Sequence, residues 1–348
     1  MHAPFAWLAT IDGFVCPVST WSLFMKAIVV TEFGPQYTDA PDPSPNDDQV
    51  LIKVGACALN RADLTVAAGA SHGSVGGAGT IVGMEFAGDV LAVGTNVQDL
   101  APGDRVMASG GGGLAELTVA DYGRVQKIPQ ANMSYETAAT LPVALNTMHN
   151  AVATRGRLAA GEAVMIQGAS SGVGLMGMQI AKHMGARLVV GSSTNAERRA
   201  RLCEFGADLA VDTSDPSWPD QVLEATDGQG VDLIVDQISG SVMNGNLKAA
   251  RILGRIVNVG RLGGATGEFD FDLHALRRIE YIGVTFRTRS LDEVRDIGRV
   301  MRADLWDGVE AGALSLPISK VFSLADGVAA LDHMAANQHF GKIVLTTD

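Results

Sequence analysis

The chain is short of positive charge. Its 348 residues hold 26 Lys and Arg against 38 Asp and Glu, a formal net charge of −12. A nucleic-acid backbone needs a basic surface, so this balance argues against a nucleic-acid partner. It leaves room for a small anion in a local basic pocket. Cysteine is scarce too: only Cys16, Cys57 and Cys203 occur. An odd, sparse set excludes a disulfide framework and suits a reducing compartment, the cytoplasm. Without a CxxC pair, a four-cysteine structural zinc site is excluded. No apolar run reaches the roughly 18 residues that a membrane-spanning helix needs. The first 24 residues, "MHAPFAWLATIDGFVCPVSTWSLF", contain no Lys or Arg. A signal peptide or arginine-rich transit peptide therefore fits poorly, and residues 1–24 read as an extension outside the core fold.

What is present suits a folded protein of two domains, 47% hydrophobic and with 41 glycines for turns and close approaches. From Lys26 to about Pro142, short apolar runs alternate with Gly, Pro and Asp turns, a β-rich pattern. From about Val143 to Val284 strands and helices alternate. "AVMIQ", "RLVVG", "DLAVD", "VDLIVD", "GRIVNVG" and "EYIGVTF" are six candidate strands. This alternation predicts an α/β fold, a doubly wound parallel sheet with helices on both faces. The remainder shows two helical patterns and a last strand, "GKIVLTT", which can return to complete the first domain.

The turn after "AVMIQ" is Gly168-Ala169-Ser170-Ser171-Gly172-Val173-Gly174, and a helix starts there. A helix N-terminus has unpaired N–H groups and a positive dipole end, so it favours an anion such as a pyrophosphate. The spacing is not GxGxxG, and a tight strand–helix turn with no ligand is the alternative. Position at the opening of an α/β segment favours the ligand. A carboxylate that would bind a ribose 2′-hydroxyl usually stands about 20 residues beyond such glycines. Here Ser193 stands 193 − 174 = 19 residues past Gly174, within Ser192-Ser193-Thr194-Asn195. Hydroxyls followed by Arg198 suit a 2′-phosphate and hence NADPH; Arg199 reads as a solvated helix face. None of Tyr37, Tyr122, Tyr135 and Tyr281 has a lysine four residues later. The Tyr-x-x-x-Lys chemistry of short-chain dehydrogenases is thereby excluded.

"LNRADL" (59–64), "GMEFAGDVLAVGTNV" (83–97), "PGDRVMA" (102–108), "LPVALNTMHNAV" (141–152), "GASSGVG" and "GKIVL" (341–345) occur in this order. Together they resemble the medium-chain dehydrogenases/reductases, in the zinc-independent quinone oxidoreductase branch that includes zeta-crystallin. The resemblance runs from Met25 to the C-terminus. It implies a GroES-like β-barrel catalytic domain (25–145 and 285–348), a Rossmann NADPH-binding domain (146–284), a cleft between them, and a homodimer or homotetramer. Zinc-dependent relatives have a cysteine where Asn60 stands, and a histidine where Met84 precedes Glu85. No metal is expected, and Glu85 is expected in a structural hydrogen bond or ion pair. The implied activity is hydride transfer from NADPH to a quinone or α,β-unsaturated carbonyl.

By the same resemblance Asn60 is the candidate catalytic residue, touching the nicotinamide or the substrate oxygen. Thr147 contacts the nicotinamide side, or else bonds its own helix. Ser170, Ser171, Gly172 and Val173 hold the pyrophosphate, and Ser192, Ser193 and Arg198 the adenosine phosphate. Gly260, Arg261 and Leu262, with Thr285, Phe286 and Arg287, line the nicotinamide. Lys342 reaches the pyrophosphate, or is a surface lysine. Asp63 reads as structural, with a proton-relay role as the alternative, and His72 as an exposed loop residue or a proton donor. The tyrosine expected after "NRADL" is absent. Two other readings stay open: an enoyl-thioester reductase, and a non-catalytic NADPH-binding sensor or structural protein.

Overall fold

The computed structural model describes residues 24–129 and 133–347. The expected extension, apart from Phe24, lies outside the described residues. The first strand, Phe24–Thr31, pairs antiparallel with Gly34–Pro41. A second, seven-stranded sheet contains Gln49–Ala58, Glu85–Val93, Arg105–Ser109, Leu117–Asp121 and Val125–Lys127, all antiparallel to their neighbours. The C-terminal Lys342–Thr346 joins it beside Gln49–Ala58, and Ile318–Ser323 adds a parallel edge strand. The return of the chain's end to the seven-stranded sheet is therefore made by backbone hydrogen bonds.

A third sheet has six parallel strands. In spatial order they are Leu209–Val211, Leu188–Ser192, Ala163–Gln167, Val231–Asp236, Ala250–Asn258 and Glu280–Gly283. The chain starts in the middle, builds outward to one edge, then crosses to the other half. This is the doubly wound Rossmann order, with a switch point between Ala163–Gln167 and Val231–Asp236. Those two strands are buried at every residue. Helices cover both of their faces, so a continuous apolar run is what the position requires.

The helix Gly172–His183 follows the first of these strands. Ser171 caps it, accepting from the Gly174 N–H at 3.0 Å. Leu175, Met176, Met178 and Ile180 are buried, and left-handed Gly185 (φ 85°) lies just past its end. Its apolar face belongs to a core cluster that also contains Ala56, Ala87, Met107 and Val344 from the seven-stranded sheet. One hydrophobic core thus runs between the two sheets. Among the described residues no helix is long and apolar enough to cross a membrane.

Candidate active site

Parallel strands end on the same edge of a sheet, so their following turns converge. The Gly168–Gly174 turn, Ser192-Ser193, Gln237–Ser239 and Val259–Leu262 all leave the carboxyl edge of the six-stranded sheet. Ser171 Oγ donates to Gln237 Oε1 at 3.0 Å, and Gln237 Nε2 donates to the Gln167 carbonyl at 3.0 Å. Gln237 therefore fastens the phosphate-type turn across the switch point. Gln237 is a site residue that the sequence did not reveal, because the signal is a contact between residues 66 positions apart.

The turn is closely fitted. A Cβ on Gly174 would lie 2.6 Å from the Gly168 carbonyl oxygen and 2.7 Å from Ala169 Cα. On Gly172 it would lie 2.8 Å from Lys342 Cδ. Glycine at 174 lets the helix start press against the strand's end, and its N–H donates to Ser171 Oγ; a helix N-terminus of this kind favours an anion. Ser192 is buried, accepts from the Gly168 N–H at 3.0 Å and donates to Gln167 Oε1 at 2.6 Å. It braces the turn from within. Ser193 Oγ donates to Ser170 Oγ at 3.1 Å, so these two hydroxyls share one spot. Val173 is half-buried on the first helical turn.

At the far end of this spot two guanidinium groups meet. Arg198 donates to the Asn337 carbonyl, and Arg61 donates to Asn337 Oδ1 at 2.9 Å. Burial, with the positive charges of Arg61 and Arg198, pushes the nearby His339 imidazole down to about 4. Three chain segments thus meet here, two of them bringing a guanidinium and the third the Asn337 acceptors and the His339 ring. Arg61, Asn337 and His339 were not marked by the sequence, since two of them lie in a loop near the C-terminus. Arg199 is half-buried rather than a solvated helix face: it donates to the Ser193 carbonyl and to Asp212 Oδ2, both at 2.8 Å.

Asn60 precedes the helix Arg61–Ala67 and is half-buried. Its backbone N–H donates to Asp63 Oδ2 at 2.7 Å. Its side-chain Nδ2 donates to Glu85 Oε1 at 2.9 Å, and its Oδ1 accepts from Lys342 Nζ at 2.9 Å. Lys342 Nζ also donates to Glu85 Oε1, and the Val143 N–H donates to Glu85 Oε2 at 2.8 Å. Glu85 therefore makes the structural ion pair expected of it. Lys342 is 3% exposed: its ammonium is turned inward onto Glu85 and Asn60, while its stem crosses Gly172.

Burial raises the Glu85 carboxyl against the pull of the Lys342 ammonium. Only donors face Glu85, so the ionised form suits the site. Burial also pushes Asp63 up to about 7, opposed by the Asn60 N–H and by Lys342. Asp63 Oδ1 is buried with no hydrogen-bond partner among the described residues. Asp63 is fully buried, away from solvent.

The remaining candidates sit around this centre. Thr147 is half-buried on the helix Pro142–His149. Gly260 packs on Gln237, where a Cβ would meet its carbonyl oxygen at 2.6 Å. Arg261 and Leu262 are exposed beyond it. Thr285 Oγ1 accepts from the Arg287 N–H at 3.1 Å, and Phe286 is half-buried. Arg289 Nε donates to the Thr285 carbonyl at 3.0 Å while its NH2 group donates to Asn150 at 3.2 Å. That arginine braces the segment after the last parallel strand. Gly73, in the loop with His72, packs on the Arg287 backbone. Burial, then the charge of Arg287, lowers the His72 pKa. Among the described residues no group of three or more His, Cys, Asp and Glu side chains is arranged to hold a metal ion.

The fold defines an oxidoreductase class that combines a GroES-like β-rich domain with a parallel-sheet, Rossmann-like domain. The family described as "Zinc-binding dehydrogenase" matches residues 172–300, and "Alcohol dehydrogenase GroES-like domain" matches residues 46–130. The chain belongs to the medium-chain dehydrogenase/reductase superfamily. It is 28% identical to human quinone oxidoreductase, over 94% of this chain and 99% of that one. It is 32% identical, over 87% of its own length, to a phenolphthiocerol/phthiocerol polyketide synthase of Mycobacterium tuberculosis. It spans only 14% of that much longer protein. Among solved structures, a mycobacterial quinone oxidoreductase superposes with a TM-score of 0.83 at 25% identity, over 93% of this chain and 100% of that one. An alcohol dehydrogenase superfamily protein from Novosphingobium aromaticivorans gives 0.83 at 28% identity, with the same coverage.

Proposed function

We propose that this chain reduces a quinone or an α,β-unsaturated carbonyl with hydride from NADPH, without zinc. The observation that carries the reading is the continuous link from the glycine turn to Asn60, made by Lys342. It puts a helix N-terminus suited to an anion within one lysine's length of the Asn60 amide, in keeping with a dinucleotide laid from one to the other. The turn fits a pyrophosphate because Gly172 and Gly174 leave room that a Cβ would fill. Ser193, Arg198, Arg61 and His339 would meet a 2′-phosphate, with no carboxylate in Ser192–Asn195 to repel it. When bound, the cofactor supplies hydride from C4 of its nicotinamide.

The protein's part is orientation and polarisation. Asn60 offers an amide hydrogen to an oxygen in the cleft. Thr147, Gly260, Arg261, Leu262, Thr285, Phe286 and Arg287 shape the nicotinamide end. Zinc independence is supported by the chemistry of the centre: an amide, a carboxylate and an ammonium already satisfy one another there. A cation between Asn60 and Glu85 would have to displace Lys342.

Reduction of an enoyl thioester is the second reading. It is favoured by the polyketide synthase relatives at 30–32% identity. We place the protein in the cytoplasm, in keeping with its free cysteines Cys57 and Cys203. As a partner we propose a second copy. Among the described residues Glu280–Gly283 is an edge strand of the six-stranded sheet, and Tyr281, Leu276 and Phe271 are exposed around it. Two such edges can pair and extend the sheet.

A panel with NADPH and a quinone, an enone or an enoyl thioester tests the reading. Faster turnover of the quinone or enone supports it. A clear preference for the thioester transfers the assignment to the second reading. Tight NADPH binding with no acceptor reduced favours a non-catalytic binding protein.

A further inference from the structure

We propose that Lys342 and Glu85 are positioning residues that lock the Asn60 carboxamide in one orientation, leaving its second Nδ2 hydrogen as a fixed donor to the cleft. The proposal rests on the reductase reading for its chemistry, and on geometry for the lock itself. An ammonium has only donors, so it must face Oδ1; an ionised carboxylate has only acceptors, so it must face Nδ2. With Oδ1 on Lys342 at 2.9 Å and Nδ2 on Glu85 at 2.9 Å, the flipped amide would set donor against donor and acceptor against acceptor. Glu85 is held in turn through its other oxygen by the Val143 N–H. Glu85 and Lys342 are almost fully buried, whereas Asn60 is half-buried.

The lock has a second consequence. The Lys342 stem lies against Gly172, and residue 341 bridges Ser171. Shifting the phosphate turn therefore shifts the ammonium that orients Asn60. The turn and the reacting end of the cleft are set by one side chain.

Removing Lys342 alone would leave Glu85 buried without its counter-charge and could unfold the protein. The test therefore uses the neutralised pair, K342M/E85Q, in two backgrounds: wild type and N60A. Folding is checked by thermal unfolding, and NADPH affinity by fluorescence. The expected result is a fall in kcat of at least about tenfold in the wild-type background, the scale of losing one oriented donor. NADPH affinity should change less than threefold. In the N60A background the same pair should change kcat by less than about twofold, because the lock has nothing left to orient. Equal losses in both backgrounds, or no loss in either, would overturn the proposal. The side-chain amide signals of Asn60 provide a readout that needs no turnover. They should show one slowly exchanging hydrogen in the wild type that exchanges rapidly in K342M/E85Q. If the wild type reduces no acceptor, the reductase reading fails while the amide signals still decide the lock. Fast exchange in the wild type would refute the lock itself.

Discussion

Replacing Gly174 by alanine puts the construction of the anion cradle at risk in one methyl group. The new Cβ would sit 2.6 Å from the Gly168 carbonyl oxygen, and 2.7 and 2.8 Å from the Ala169 Cα and carbonyl carbon. All three obstacles are backbone, so no side chain can swing aside. The turn must open by several tenths of an ångström, and overpacking of this kind costs about 1–3 kcal/mol. For a chain of 348 residues that is a fall of roughly 1–4 °C in Tm. The same displacement moves the N–H groups of the first helical turn, so NADPH affinity should drop at least about tenfold, or roughly 1.4 kcal/mol. Gly172→Ala is the internal control. Its Cβ meets a side-chain atom rather than backbone, Lys342 Cδ at 2.8 Å, so the turn itself need not open and stability should suffer less, while the Lys342 ammonium is pressed off Asn60. Thermal unfolding and NADPH titration of both variants measure the difference. An unchanged Tm and affinity for Gly174→Ala would refute the reasoning about the turn.

Arg198→Ala should weaken NADPH at least about fivefold and NADH by less than twofold, as titrations of both cofactors would show; equal losses would remove the 2′-phosphate assignment. The His339 imidazole is held down to about 4 by burial and neighbouring positive charge, so it is neutral near pH 6. A 2′-phosphate would raise it, so NADPH binding near pH 5 should take up protons, seen as a dependence of the calorimetric heat on buffer. Asp63 titrates near 7 when folded, above its ordinary value of 3.8. The folded state therefore binds the extra proton, and wild-type stability falls as pH rises from about 4 to about 7. In urea unfolding, the stability of Asp63→Asn relative to wild type should rise between about pH 5 and pH 8; a fall would contradict the burial of that carboxyl. Tyr281→Glu should shift the sedimentation of the protein toward the monomer if the sheet edge is the interface.

The Rossmann half was legible because its signals are local. "AVMIQ" and "VDLIVD" are continuous apolar runs, and both are fully buried central strands. Strand ends were less accurate. "EYIGVTF" forms a strand only over Glu280–Gly283, and the Val284 N–H makes the last bond of the ladder, to the Asn258 carbonyl. "AERRARLCEF" reads as one amphipathic stretch, yet it breaks into Ala196–Ala200 and a short turn at Leu202–Phe205 that ends at left-handed Gly206 (φ 96°). The edge strand Ile318–Ser323 was missed because its alternation is weak and mostly exposed.

Lys342 marks the limit of reading by pattern. A lysine opening a C-terminal strand gives no sign of burial, and its partners Asn60 and Glu85 are 282 and 257 residues away. Burial of that charge follows from the antiparallel pairing of the last strand with Gln49–Ala58. Asn60 was recognisable from "LNRADL", but the two groups that fix its amide were not recognisable as a unit.

The most direct test of the central claim follows NADPH absorbance with EDTA-dialysed protein of verified zinc content, using a quinone and an enone as acceptors and NADH as the control. Oxidation of NADPH at an undiminished rate without zinc, well ahead of NADH, is the predicted result. Activity that vanishes on dialysis and returns with zinc would contradict the account of Asn60, Glu85 and Lys342 as a self-satisfied, metal-free centre.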